Sequence, residues 1–188
     1  NDAPLITSEG RSFSVEYRYL ENKPTRPIVD EMASAITRAL KTEQGSILAF
    51  LPGAGEIERT KNALESATLD QDVIVCPLYG MMSFEDQDLA IKPATGGVRK
   101  VVLATDIAQT SLTIEGIRVV IDSGLQRSAV FDVTSGMTGL ETTMLSRASA
   151  EQRAGRAGRL EEGICYRLWS EAANRALKPF EIPEIMKV

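Results

Sequence analysis

Apolar positions along this chain recur with two different periods, and the switches between them divide it into elements. Phe13, Val15, Tyr17 and Tyr19 alternate with polar neighbours, which predicts a strand. Asn22–Pro27 is a proline-marked connector. Ile28, Met32, Ile36 and Leu40 then recur at helical spacing and predict a helix through Lys41. The pattern continues with a buried strand over Ser46–Leu51, a helix over Gly53–Ser66, a strand over Val73–Leu78 and a helix over Ser83–Ile91. A turn-rich loop, Lys92–Gly97, leads to apolar strands at Val101–Ala104 and Val119–Ile121, joined by a polar connection rich in Thr and Ser. Leu125–Val133 and Gly139–Ser146 read as a β-hairpin turned by Thr134-Ser135-Gly136. A helix over Ser149–Gly158, a strand over Ile164–Trp169 and a helix over Ser170–Leu177 follow. Strands alternating with helices predict an α/β fold, with a mainly parallel sheet covered on both faces and one inserted hairpin, about residues 125–146.

Size and composition narrow the function. At 188 residues and 43% hydrophobic, the chain can bury one full core. A net charge of −5 argues against indiscriminate nucleic-acid binding through bulk charge. It leaves room for a local basic site, and Arg147, Arg153, Arg156 and Arg159 crowd one short stretch. Cys76 and Cys165 lie in apolar runs with neither a disulfide framework nor a zinc spacing, which fits a reducing, cytoplasmic setting. No apolar run approaches the length of a membrane span and no signal peptide is visible. The chain opens on Asn, so an excised fragment, monomeric as it stands, is expected. Histidine is absent, which removes Ser-His-Asp and Cys-His mechanisms, histidine bases and histidine metal ligands. No Gly-Lys dipeptide occurs, so there is no P-loop. Asp30-Glu31-Met32-Ala33 echoes an acidic box, but its carboxylates suit the first turn of a helix. This chain therefore cannot organise Mg-ATP alone.

Residues 152–159, Gln-Arg-Ala-Gly-Arg-Ala-Gly-Arg, carry the strongest chemical signal. On a helix, Gln152, Arg156 and Arg159 fall at i, i+4 and i+7 and form one stripe, with Arg153 turned about 100° away. Two glycines in such a helix cost about 1 kcal/mol each against alanine. Small residues between long arginines let a partner surface or a polyanion approach the backbone, and forked guanidiniums suit phosphate capture. The plain alternative is a solvated face paired with Glu151, Glu161 and Glu162, with Ser149 as N-cap and Gln152 completing a capping box.

The segment resembles motif VI of superfamily 2 helicases, in the form typical of the DEAH-box branch. Residues 104–116, Ala-Thr-Asp-Ile-Ala-Gln-Thr-Ser-Leu-Thr-Ile-Glu-Gly, resemble motif V of the same branch, whose usual form is ATNIAETSLTIDG. Asp106 and Gln109 depart from it, replacing Asn and Glu. Ser8-Glu9-Gly10-Arg11-Ser12-Phe13 and Glu115-Gly116-Ile117-Arg118 look most like the bacterial HrpB subgroup, and the resemblance runs from about Pro4 to the end.

The resemblance implies a RecA-like three-layer second lobe of an ATP-dependent RNA helicase. Residues 1–20 would lead in from the first lobe, 21–178 would form the helicase C-terminal domain, and 179–188 would link to a winged-helix domain. ATP would sit between the two lobes, with the first lobe supplying P-loop, Mg²⁺ and catalytic carboxylate. Arg156 and Arg159 would act as arginine fingers and Gln152 would help place the attacking water. Glu115 would contact the ribose, and Ile91 would stand where the family often sets an aromatic residue against adenine. Thr105, Thr110 and Ser111, with Gly53 and Gly55 of a motif IV-like turn, would hold the backbone of single-stranded RNA, DNA remaining open. The hairpin would act as a wedge, with translocation 3′-to-5′. A rival reading from another class is an orphan RecA-like module that binds RNA or protein without hydrolysis.

Overall fold

The computed structural model describes residues 13–67, 69–110, 114–132 and 137–181. Strand β1 (Val15–Leu20) leads to helix α1 (Ile28–Thr42), which buries Met32, Ala35, Ile36 and Ala39 along one stripe. Asp30 and Glu31 occupy its first turn and Lys41 its last, as the helix dipole favours. Glu31 also pairs with Arg26 at 3.1 Å, so the acidic pair is helix-start chemistry, as its sequence context indicates. Strand β2 (Ser46–Phe50) is buried at every position, and helix α2 (Ala54–Ser66) follows directly. Next come β3 (Val73–Leu78), α3 (Phe84–Ile91), β4 (Arg99–Ala104), a short α4 (Ile107–Thr110) and β5 (Ile117–Asp122). Strands β6 (Leu125–Asp132) and β7 (Met137–Met144) pair with each other, and α5 (Arg147–Ala154), β8 (Gly163–Ser170) and α6 (Glu171–Arg175) complete the order.

Six strands form one sheet in the order β1-β8-β5-β2-β4-β3, and every pairing within it is parallel. Such a sheet needs cover on both faces. One face packs Ile47, Ala49, Leu51, Val101, Leu103, Val119 and Ile121 against α1 and α2. The other packs Leu48, Phe50, Val102, Ala104, Val120 and Cys165 against Ala90 of α3, Ala108 of α4 and Ala154 of α5. Alternate residues of the same strands thus feed two cores, each fully buried aliphatic contributing about 1.5–3 kcal/mol. The result is the α/β/α arrangement expected from the sequence, with the hairpin as a separate two-stranded sheet. No helix among the described residues is long and apolar enough to cross a membrane.

Three local expectations need correction. The polar connection after β4 holds the short helix α4, because Ala108 turns into the core rather than out to solvent. The arginine helix spans Arg147–Ala154 instead of Ser149–Gly158. Its N-cap is Ser146, whose side chain accepts from the Ser149 amide, so Ser149 is not the cap and Gln152 closes no capping box.

Candidate functional site

Because the strands are parallel, their two ends define two chemically different edges. At the C-terminal edge, Gly53 caps α2 without a side-chain hydrogen bond, and Gly55 lies in its first turn beside open space. Thr105 follows β4, its amide donating to the Leu78 carbonyl at 3.2 Å, and α4 carries the chain on to Thr110. At the N-terminal edge, Ile91 ends α3 where Lys100 Nζ, near the start of β4, donates to the Lys92 carbonyl at 2.5 Å. Glu115 precedes β5, and the carbonyl of the next residue, Gly116, accepts from Ser46 at the start of β2. Gly158 lies on this edge too, its carbonyl accepting from the Phe13 amide at 2.8 Å ahead of β1.

The fold thus separates the candidate residues into two groups. Ile91, Glu115 and the end of the arginine segment, Arg156–Arg159, range along the N-terminal edge, whereas Gly53, Gly55 and Thr105 gather at the other. Ser111 and the hairpin turn Thr134-Ser135-Gly136 lie outside the described residues, as does the opening Ser8–Ser12.

The arginine segment is not one helical stripe. Gln152 sits exposed on α5, but the helix closes at Ala154. The following amides of Arg156 and Ala157 bond three residues back, to Arg153 and Ala154, so Arg156 belongs to a tightened last turn. Arg159 lies in the bend beyond it. The cause is packing at Gly158, where a Cβ would come within 2.6 Å of the Phe13 carbonyl oxygen. That glycine admits the chain's own backbone. Arg156 is buried and Arg159 exposed. Burial first, and then the neighbouring charge of Arg159, lower the Arg156 pKa.

The glutamates beside the segment engage residues outside it. Glu151 accepts from Arg167 at 2.8 Å and from the Tyr17 hydroxyl at 2.6 Å. Glu161 pairs with Arg118 at 3.6 Å, and Glu162 accepts from the Ser14 hydroxyl at 3.1 Å. The N-terminal amides of α5 are likewise engaged, Arg147 with the Lys178 carbonyl and Ala148 with that of Pro179.

Arg153 has become part of the core. Its Nη1 donates to Asp122 Oδ1 at 2.6 Å, its Nη2 to Asp106 and to the Leu125 carbonyl at 3.1 Å, and its guanidinium lies over the Phe50 ring at 5.0 Å. Burial alone would lower its pKa, but Asp122 and Asp106 outweigh that and raise it. Asp122 was not singled out in the sequence, since a carboxylate ending an apolar strand gives no signal until its partner is known. Arg127 was missed as well. From β6 it lies against Gly53, where a Cβ would come within 2.8 Å of its Nε, and it pairs with Glu56 at 3.7 Å.

Comparison with known proteins decides the family. The helicase conserved C-terminal domain matches residues 29–161. The chain belongs to that family. It is 52% identical to the ATP-dependent RNA helicase HrpB of Escherichia coli (strain K12), over 99% of this chain and 23% of that protein. It is 39% identical to the pre-mRNA-splicing factor ATP-dependent RNA helicase prp22 of Schizosaccharomyces pombe, over 98% of this chain and 16% of that protein. The crystal structure of the Escherichia coli DEAH/RHA helicase HrpB superposes with a TM-score of 0.91 at 50% identity, covering 98% of this chain and 23% of that one. The chain therefore spans about a quarter of the length of that relative. The shared RecA-like fold sets the candidate residues of this helicase C-terminal domain along two edges of one sheet.

Proposed function

We propose that this chain is the second lobe of an ATP-dependent RNA helicase of the HrpB type, working across a cleft with a first lobe. The observation that carries this reading is the match of the helicase conserved C-terminal domain to residues 29–161, which include the arginine segment. Past the end of α5 that segment sets buried Arg156 near the charge of exposed Arg159, and forked guanidiniums so placed suit a polyanion. A triphosphate supplies that anion. Phosphoryl transfer asks little covalent chemistry of a protein and much electrostatic stabilisation, so Arg156 and Arg159 serve as arginine fingers on the developing charge. Gln152, exposed one turn earlier, orients the attacking water.

Glu115 accepts from the ribose hydroxyls, and Ile91 offers an aliphatic surface to the base, so base selectivity is weak. Among the described residues no three His, Cys, Asp or Glu side chains come together to hold a metal. Mg²⁺ belongs to the first lobe. At the opposite edge Thr105 and the amides near Gly53 and Gly55 follow the RNA backbone, as uncapped helix starts do for phosphates, and Thr110 and Ser111 add their hydroxyls to the same task. The hairpin stands against the strand being separated, and movement is 3′-to-5′. The test is steady-state ATPase of the full-length protein with and without single-stranded RNA. Arg156→Ala and Arg159→Ala should each lower kcat by about 10³–10⁵, leaving ATP affinity nearly unchanged. Near wild-type kcat in both variants refutes the reading.

A further inference from the structure

Arg153 belongs to neither edge group, yet its side chain is fully buried. A buried arginine is held by what it binds, and its three bonded acceptors root three different elements. Asp106 lies between β4 and α4. Asp122 ends β5 and, through the same Oδ1, accepts from the Gly124 amide at 2.8 Å. The Gly124 carbonyl in turn accepts from Leu145 at 3.0 Å, where β7 ends. Leu125, the third acceptor, is the first residue of β6. Side chains on a helix slant back toward its N-terminus. Arg153 accordingly reaches the C-terminal edge from α5, while the backbone leaving α5 enters the Arg156 turn. Its own carbonyl accepts from the Arg156 amide at 3.1 Å.

We infer that Arg153 is a positioning residue that ties the hairpin root and the loop after β4 to the arginine turn. RNA held at the C-terminal edge thereby sets the placement of Arg156 and Arg159 at the other. This inference rests on the lobe function proposed above. A planar guanidinium bonded at three points cannot follow one of these loops without pulling on the others. Asp106 is the adjustable member: Asp122 is completely buried, whereas the Asp106 side chain is 45% exposed. Asp106 also stands where the related motif has Asn. An amide oxygen accepts the same hydrogen bond from Nη2, so the geometry, rather than the second negative charge, is what the tie requires.

The test uses the full-length protein with Asp106→Ala and Asp106→Asn, neither of which removes the inner Arg153–Asp122 pair. Asp106→Ala should cut RNA-stimulated kcat about tenfold, the scale of one charged hydrogen bond, while basal kcat and KM for ATP stay within about twofold. Asp106→Asn should restore stimulation. Amide hydrogen exchange without nucleotide gives a second readout, independent of turnover. Asp106→Ala should speed exchange both at Gly155–Gly158 and at Leu125–Gln126, and Asp106→Asn should not. Unchanged exchange at the arginine turn overturns the inference, as does intact stimulation in Asp106→Ala. An equal loss of basal and stimulated rates, or weaker RNA binding that accounts for the whole effect, overturns it too. A wild-type protein without RNA-stimulated ATPase instead refutes the lobe function, and the exchange pattern then still decides whether Arg153 ties the two segments.

Discussion

Replacing Arg153 by alanine tests the inner half of this buried cluster, and the structure sets the size of the effect. Asp122 is completely buried and, among the described residues, its side chain would keep only the Gly124 amide, at 2.8 Å. Its Oδ2 already has no hydrogen-bond partner among the described residues. Removing one member of a buried pair leaves an uncompensated charge, at a cost of about 3–5 kcal/mol. Asp106 adds little, since at 45% exposure it recovers water. Loss of the contact with the Phe50 ring, now at 5.0 Å from the guanidinium carbon, adds about 0.5–1 kcal/mol. The sum, about 4–6 kcal/mol, compares with about 5–15 kcal/mol for a whole domain. For a chain of this length it lowers Tm by about 8–24 °C. Thermal unfolding of the lobe followed by circular dichroism measures it, and a shift below about 3 °C would refute the argument. The double variant Arg153→Met with Asp122→Leu separates charge from packing. It should recover most of the loss, apart from about 1 kcal/mol for the Gly124 amide left without its acceptor. If the double variant is as unstable as Arg153→Ala, packing rather than charge carries the cost.

Other expectations follow from the same structure. Gly158→Ala should lose about 1–3 kcal/mol, because its Cβ would meet the Phe13 carbonyl at 2.6 Å. Gly155→Ala, at φ −60° with its nearest contact at 3.4 Å, should be neutral or gain up to about 1 kcal/mol. Urea unfolding of both variants checks the contrast, and equal destabilisation contradicts it. Shortening the hairpin by removal of Thr134–Met137 should impair duplex unwinding by the full-length protein more than single-strand binding, and unchanged unwinding would reduce it to a structural edge. The lobe alone should fold yet hydrolyse no ATP and bind single-stranded RNA weakly and salt-sensitively, since exposed charge pairs contribute only about 0–1 kcal/mol each. Hydrolysis by the lobe alone overturns the two-lobe reading, and tight salt-resistant RNA binding favours a stand-alone binding module.

The elements that read clearly from the sequence are those whose pattern is purely local. The stripe of α1 and the unbroken apolar run of β2 each state their own burial, and six such segments in alternation leave a parallel sheet as the consistent arrangement. The arginine helix reads less well because distant residues settle both its ends. Ser146 and Ser149 are both suitable caps. The choice falls to Ser146, where the carbonyls of Lys178 and Pro179 meet the next two amides and Glu181 accepts from the Ser146 amide at 2.7 Å. At the other end Phe13 comes close enough to exclude any side chain at Gly158. Residues from both extremes of the described chain thus trim one helix, and no local window contains them. The departure at Asp106 was legible as a letter but not as a function, because its partner lies on another element.

The distance between the two edges constrains how they can communicate. A six-residue strand such as β4 or β5 spans about 20 Å, roughly twice the Debye length at ordinary salt. On the proposed function, charge at the C-terminal edge therefore has little direct influence on the exposed Arg159, and coupling between the edges is mechanical. The sheet itself offers no differential movement, since continuous parallel ladders join its strands and two packed cores clamp its faces. The elements able to shift lie on the face carrying α3, α4 and α5. There α4 is a single turn and α5 only eight residues long. A short helix holds its place through side-chain contacts more than through its own hydrogen bonds. For α5 those contacts include the Arg153 tie, beside Ala154 in the core and the Glu151–Arg167 pair. On the proposed two-lobe reading, two modes of response follow: the lobe closes as a rigid body against a first lobe, or the arginine turn is re-aimed by shifting α5 about the Arg153 tie. Asp106→Ala separates them, because rigid closure does not require that outer bond and re-aiming does.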